Sequence, residues 1–472
     1  MALSFWRIAW NNLKQRGLAS ALTALSMALG VAAMCCVIVV YAVAVRQFSQ
    51  DAQGYHLIVG GKGGALQLVL STVYHLGQPL YPIPYSEYRR LVDGDLSGVV
   101  EVAVPYCLGD SFDPTTDPEN PSDRRYRVVA TTPDLFDKIE YGTDERGVPI
   151  RYTFRAGGRN FRTDHAYEAV LGSVVAAQSG LKVGDTFSPT HGISGEGEKH
   201  EEFTIVGVLE TTGTANDRAV FINLEGFYLL EKHALSDAMA AEREARIAAT
   251  EALEKNRATP AATPRGLLPP EVLYDQNDQP IEPLAEAKRE VTSVLVLCSS
   301  DLGPLILNTK INKDPNQSSQ AVAPAGVVTS LLEKIVGPIQ LVLLVLTILI
   351  VLVAAIGILV SIYNSMSERK HDIAVMRALG ASRVSVMLII LTEAVLISLI
   401  GALGGLVLGH LFIAAAAPYL EAEAGVRLAF WRLDPLELMI VPALVALAGL
   451  VGLLPAFSAY RTDVARSLSG GQ

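Results

Sequence analysis

The sequence lacks the short constellations that mark a self-sufficient catalyst. It has no Walker A run, no His-Glu-x-x-His, no Gly-x-Ser-x-Gly and no Cys-x-x-Cys. Nucleotide hydrolysis, zinc proteolysis, serine-type acyl transfer and thioredoxin-like redox chemistry therefore lack their usual carriers. A basic excess is missing too: the formal charge is −10, which excludes a broad nucleic-acid footprint. Cysteine is scarce, with four in 472 residues. Cys35 and Cys36 fall in an apolar run and read as packing residues. Cys107 and Cys298 fall in a polar stretch where a disulfide is chemically permitted, but their separation in space is not readable. The eight histidines are scattered; His165 and Glu168 could share a helical face and are read as a surface pair. No catalytic, cofactor-binding or metal-ligating residue is assigned.

Apolar residues make up 50% of the chain and are clustered, the mark of membrane spans rather than of one large soluble core. Four runs reach the roughly 20 residues that a bilayer requires: Leu18 to Val45, Ile335 to Tyr363, Val384 to Pro418 and Pro435 to Tyr460. The first is too long for a cleaved signal and is read as an uncleaved anchor. Charge sets the orientation. Arg7, Lys14, Arg16, Arg369, Lys370, Arg377, Arg383, Arg461 and Arg466 flank one side, nine cations against the three acids Glu368, Asp372 and Asp463. Residues 49–335 hold 26 Lys+Arg and 40 Asp+Glu, a net of −14. Both termini and the loop Ser367–Arg383 are thus expected in the cytoplasm, and the large domain outside.

The expected fold is an α-helical membrane protein with four transmembrane helices and a large α+β extracytoplasmic domain. Residues 1–17 form an amphipathic cytoplasmic or interfacial helix and 18–48 the first span. Residues 49–334 form the outer domain, 335–363 the second span and 364–383 a cytoplasmic coupling helix. The third span is 384–417, an outer loop 418–435, the fourth span 436–460 and a cytoplasmic tail 461–472. In the first helix Trp6, Trp10 and Leu13 share a face, with Arg7, Asn11 and Lys14 beside it.

In the outer domain, strands are expected at Val99–Val104, Tyr126–Thr131, Phe203–Leu209, Ala219–Ile222 and Val291–Leu297, and helices at Ser86–Val92 and Gly172–Ser179, the latter closed by Gly180. Lys62 among glycines fails the phosphate-loop spacing, so Leu57–Gly64 is read as a strand ending in a turn. A helical and proline-rich insert is expected at about 229–290: Glu242/Arg246 and Glu251/Lys255 stand at helical spacing, and six prolines between Pro260 and Pro283 read as a stiff linker.

Two membrane features carry function. Gly401, Gly405 and Gly409 repeat every fourth residue and make a smooth helix-packing face, between helices of one subunit or between two copies. Glu393 is the acid well inside an apolar run. The loop from Met366 is helical in pattern, with Ile373, Met376 and Leu379 or Gly380 on one face and Val375 beside them. Gly380 is placed to stop that helix and Ser382 to cap the next. The terminal Leu468-Ser-Gly-Gly-Gln472 spells an ATPase signature pentapeptide, but no helix-forming sequence follows it, and it is read as fortuitous.

Ser367-Glu-Arg-Lys-His-Asp-Ile-Ala-Val-Met-Arg-Ala-Leu-Gly-Ala-Ser382 resembles the coupling signature of FtsX-like permeases, the transmembrane subunits of MacB/LolCDE-type (type VII) ABC transporters. The glycine-rich third span, the ending Pro455–Leu468 and the order of one span, outer domain and three spans are similar as well. Gly180-Leu-Lys-Val-Gly-Asp185 and Phe203-Thr-Ile-Val-Gly-Val208 resemble the MacB-like periplasmic core domain. The resemblance implies a bacterial inner-membrane subunit without enzymatic activity or cofactor, working with a separate ABC ATPase as a homodimer or as a heterodimer with a related permease. A periplasmic adaptor or a lipoprotein substrate would be its outer partner. It implies mechanotransmission, in which ATP-driven movement of the ATPase reaches the outer domain for lipoprotein release, efflux or similar export. It implies ATPase-coupling roles for Glu368, Arg369, Ile373, Met376, Arg377, Leu379, Gly380 and Ala381. The alternative is a signalling or scaffold subunit that regulates an extracytoplasmic partner such as a cell-wall hydrolase. His371, where the family often has another charged residue, and the large insert depart from the pattern.

Overall fold

In the computed structural model, the described residues are 2–15, 17–50, 54–114, 125–143, 148–192, 199–231, 233–236, 238–242, 245, 265–313, 318–368, 375–377, 380–424 and 435–461. Contacts divide the chain into two units, Arg46–Glu333, and Met1–Val45 with Lys334–Gln472.

The Arg46–Glu333 unit is built on a ten-stranded sheet. Its order is Ser319–Val322, Leu57–Gly61, Ser293–Cys298, Val100–Phe112, Tyr126–Thr131, Ala219–Asn223, Glu168–Leu171, Phe203–Val208 and Thr186–Phe187. The short strand Thr190–His191 pairs separately with Val100–Phe112. Pairing is antiparallel except where Ala219–Asn223 meets Tyr126–Thr131 and Phe203–Val208 meets Glu168–Leu171. These strands read as nearly continuous apolar runs because both sheet faces are covered. Strand side chains alternate between faces. Val128, Ala130, Val220, Ile222, Val294 and Val296 enter one core. Val129, Phe221 and Leu295 enter the other.

Helices cover these faces. Tyr85–Val92 turns Tyr85, Tyr88, Leu91 and Val92 into the first core, and Gly303–Asn312 adds Leu307 and Ile311. Ala65–Thr72 places Leu68 and Val69 in the second. There Phe221 meets Phe136 edge to face at 5.2 Å; truncating a ring buried in this way costs ~3–5 kcal/mol. Ser173–Ser179 ends at Gly180, whose φ of 73° lies in the left-handed region that glycine enters without steric cost.

Two expectations for this unit change, and the open pairing of two cysteines is answered. His165 and Glu168 share no helical face: Glu168 opens a strand, where it accepts from Arg159 Nη1 and from the Arg162 backbone N–H, both at 2.8 Å. Residues from Arg265 onward are no free linker. Arg265 N–H donates to Val92 O and its carbonyl accepts from Ala103, while Tyr88 Oη donates to Leu267 O. The segment returns through Arg289, fully buried, whose Nη1 lies 2.7 Å from Glu225 Oε1. Pro280 itself stands in a short ladder, opposite Tyr274. Cys107 and Cys298 are both buried free thiols. Cys107 Sγ lies 3.2 Å from Glu290 O, and Cys298 packs beside Gly303. Of the insert, residues 238–242 are helical, and residues 246–264 lie outside the described residues.

The other unit is helical. Ala2–Gln15 buries Ala9 and Leu13 while Trp6 and Trp10 stay exposed, with Lys14 Nζ 5.7 Å from the Trp10 ring. Such half-exposed indoles suit a membrane–water boundary. Three helical stretches are long and apolar enough to cross a membrane: Ser20–Val39, Arg383–Tyr419 and Glu437–Leu454. A shorter apolar stretch, Ile348–Gly357, lies within the 45-residue helix Pro324–Glu368. Among the described residues, length and composition thus support three spans, and the count of four is not confirmed.

Candidate coupling and helix-packing site

The glycine stripe of the Arg383–Ala424 helix faces the first apolar helix, Gly17–Gln50. A methyl group on Gly401 would stand 2.8 Å from Met27 Cβ, and one on Gly409 would stand 2.9 Å from Cys35 Cβ. On Gly405 it would stand 2.7 Å from Ala28 O and collide with Val31. A four-residue period advances about 6 Å along a helix, so successive glycines meet successive turns of the partner. The partner answers at the same period, with Ala24, Ala28 and Ala32 opposite the stripe and Met27, Val31 and Cys35 beside them. The stripe is thus covered by the chain's own helix.

The same helix packs on Pro435–Arg461 through a cluster that includes Ile390, Ile397, Ile440, Leu444 and Ala448. A polar pair sits in this packing. His410 Nε2 lies 3.4 Å from Glu437 Oε2, and Glu437 is fully buried. Glu437 lies in the first turn of the Pro435–Arg461 helix. Glu393 is buried as well. Ionisable groups in apolar helices face the bundle interior because lipid cannot solvate them.

The segment ahead of this helix is described at 375–377 and from 380. Gly380 has φ 98°, Ala381 N–H donates to Met376 O at 3.0 Å, and Gly380 N–H donates to Arg377 O at 3.1 Å. This pair of bonds is a Schellman ending, in which a left-handed glycine satisfies the last carbonyls. Two residues later Ser382 Oγ accepts from Ser385 N–H at 3.1 Å and so caps the next helix. Val375 is exposed. Met376 is half-buried against the cluster that contains Ala9, Leu13, Val386 and Ile390, so it faces inward rather than outward. Arg377 is half-buried and Ala381 partly so. Glu368 ends the Pro324–Glu368 helix, while Arg369, Ile373 and Leu379 lie outside the described residues.

The outer unit holds a constellation that the sequence did not reveal. Asp110 on the Val100–Phe112 strand pairs directly with His191 across the sheet, and His200 and His233 converge on the same point. The register of Val100–Phe112 slips between Leu108 and Asp110, leaving Gly109 as an extra residue and re-aiming Asp110. Burial holds the His200 imidazole below its usual pKa, with Asp110 opposing and His233 and His191 adding to the effect. No short motif announces these residues, because they come from four separate stretches of chain.

Long apolar helices joined in one chain to a two-faced α+β domain define a membrane protein with a large domain outside its spans. Residues 20–256 match the MacB-like periplasmic core domain, and residues 344–462 match the FtsX-like permease C-terminal domain. The chain belongs to the FtsX/MacB-type permease family. That family supplies permease components of ABC transporters, inner-membrane proteins with a periplasmic domain that generally work with an ATPase partner and are generally not catalytic themselves. No curated protein matches the chain.

Proposed function

We propose that this chain is the subunit that transmits the ATP-driven movement of a separate ATPase to its periplasmic domain, for lipoprotein release, efflux or a similar export. In this reading four helices cross the membrane, the fourth contributed by Pro324–Glu368. Both termini and residues 364–383 face the cytoplasm, and the subunit works as a homodimer or with a related permease. The ATPase docks on the coupling segment, with Glu368, Arg369, Ile373, Met376, Arg377, Leu379, Gly380 and Ala381 as its working residues.

The observation that supports this reading most is the Gly380–Ser382 junction. A capped helix end is followed within two residues by a capped helix start, so the short coupling helix joins the Arg383–Ala424 helix through a tight connection. A push on the coupling helix is then delivered to a helix that the glycine stripe locks onto Gly17–Gln50.

Because Val375 is exposed and Met376 is turned inward, the docking test belongs on Val375. Val375→Glu is expected to abolish co-purification of the partner ATPase and its stimulation, while the protein reaches the membrane at wild-type level. Undiminished co-purification and transport in that variant would remove the coupling segment from the mechanism.

A further inference from the structure

We propose that Asp110, His191, His200 and His233 of the outer domain bind a divalent transition-metal ion, zinc(II) by their donor set. Each residue offers one ligand atom, and the four atoms all lie within 4.8 Å of one another. The shorter separations are close to tetrahedral edges. His191 Nδ1 lies 3.5 Å from Asp110 Oδ1, His200 Nε2 3.7 Å and His233 Nε2 3.3 Å from Asp110 Oδ2, and the two Nε2 atoms are 3.2 Å apart. Zinc bonds of about 2.0–2.1 Å set tetrahedral edges of about 3.3–3.4 Å.

The second observation is polar and buried. Both carboxylate oxygens of Asp110 and Nδ1 of His191 are buried with no hydrogen-bond partner among the described residues. Asp110 is fully buried, and a carboxylate in that position is costly without a compensating charge. Protons alone compensate it poorly. His200 and His233 turn Nε2 toward each other as well as toward Asp110, so two N–H groups there would collide. A single cation takes one atom from each of the four residues together.

The surroundings hold the ligands in place. Ser111 Oγ donates to Gly192 O at 2.7 Å, and Gly192 N–H donates to Gly109 O at 3.0 Å, which ties the His191 turn to the Asp110 strand. His200 N–H donates to Pro189 O, and the His233 ring lies 4.1 Å from that of Phe227. The donor set narrows the ion to the imidazole-binding transition metals, of which tetrahedral geometry favours zinc. Imidazole nitrogen with one carboxylate suits zinc, whereas calcium and magnesium take oxygen ligands and copper(I) prefers sulfur. Four protein ligands leave no open position, so the ion's role is to clamp His191, His200 and His233 onto the central strand that carries Asp110. The His191 side chain, 39% exposed, is the edge by which the ion enters and leaves.

The test uses the tag-free full-length protein in detergent, stripped with a chelator and reloaded with zinc, with bound metal measured by mass spectrometry. The expected result is about one zinc per chain. His200→Ala and His233→Ala should weaken binding more than roughly tenfold, whereas His165→Ala should leave it unchanged. Cobalt(II) loading of the unaltered protein gives a readout that does not depend on any variant folding: a tetrahedral visible absorption without thiolate charge transfer is expected. Less than about a tenth of an equivalent of zinc, an octahedral cobalt spectrum, or full retention in the His200→Ala/His233→Ala protein would each overturn the proposal.

Discussion

Gly405 and Val31 meet in the helical unit with no room between them: a methyl group on Gly405 would strike Val31 and stand 2.7 Å from the carbonyl of Ala28. Backbone and a β-branched side chain give way poorly. Gly405→Ala is therefore expected to cost ~1–3 kcal/mol by overpacking, seen as a lowered thermal midpoint in detergent. Gly357 provides the control, since a methyl group there meets nothing within 4 Å. Gly357→Ala should hold or raise the midpoint, because alanine favours a helix by about 1 kcal/mol over glycine. Equal losses in both variants would mean that the stripe is not a close contact.

Arg289 and Glu225 form a second tight relationship, in the outer domain. The guanidinium is fully buried, bonds Glu225 at 2.7 Å and donates to Leu284 O, with its Cζ 5.1 Å from the Tyr228 ring. Burial pushes the Glu225 carboxyl up and Arg289 opposes it. Removing the arginine leaves a buried, uncompensated carboxylate, so Arg289→Ala is expected to cost ~3–5 kcal/mol. Arg289→Met with Glu225→Leu should recover most of that loss. Urea unfolding followed by circular dichroism measures both, and a double variant no better than Arg289→Ala would contradict the pairing.

The thiols make a sharper forecast than their spacing allowed. Burial pushes Cys107 up to about 12, with Tyr228 opposing, and burial pushes Cys298 up to about 11. The thiolate is the reactive species. Both cysteines should resist maleimide at pH 8 in the folded protein and react fully in denaturant. Intact mass after non-reducing denaturation should show no lost hydrogens from a Cys107–Cys298 bridge. Rapid labelling of the folded protein would refute their burial.

Local signals were legible wherever one residue type decides a backbone state. Gly180 and Gly380 stop helices because their φ angles of 73° and 98° suit glycine, and Ser382 caps because its hydroxyl reaches Ser385. Strands such as Tyr126–Thr131 were legible from β-branched runs. What stayed hidden depends on pairing across the sheet. Asp110 faces His191 only because the strands register there and a bulge at Gly109 shifts the alternation. Arg289 and Glu225 stand 64 residues apart, so no local pattern reports that they pair. The sequence places Met376 on an apolar face, but periodicity does not report that the cluster with Ala9 and Leu13 partly covers it.

Glu168 sets an acid limit on the outer domain. Burial alone would raise its carboxyl, but the hydrogen bonds from Arg159 and from the Arg162 backbone, with both guanidinium charges, hold it below its ordinary value of 4.5. A carboxyl depressed in the folded state binds fewer protons there than in the unfolded chain. Its stabilisation is complete above about pH 4.5 and is lost as pH falls through the depressed folded value. Glu168→Gln removes this dependence. Hydrogen exchange of the Glu168–Leu171 strand in the full-length protein should therefore separate variant from wild type clearly at pH 7. The gap should narrow on acidification, with the wild-type strand losing protection below about pH 4.5. A gap that stays constant from neutral to acid pH would show that the arginines stabilise this strand by packing alone.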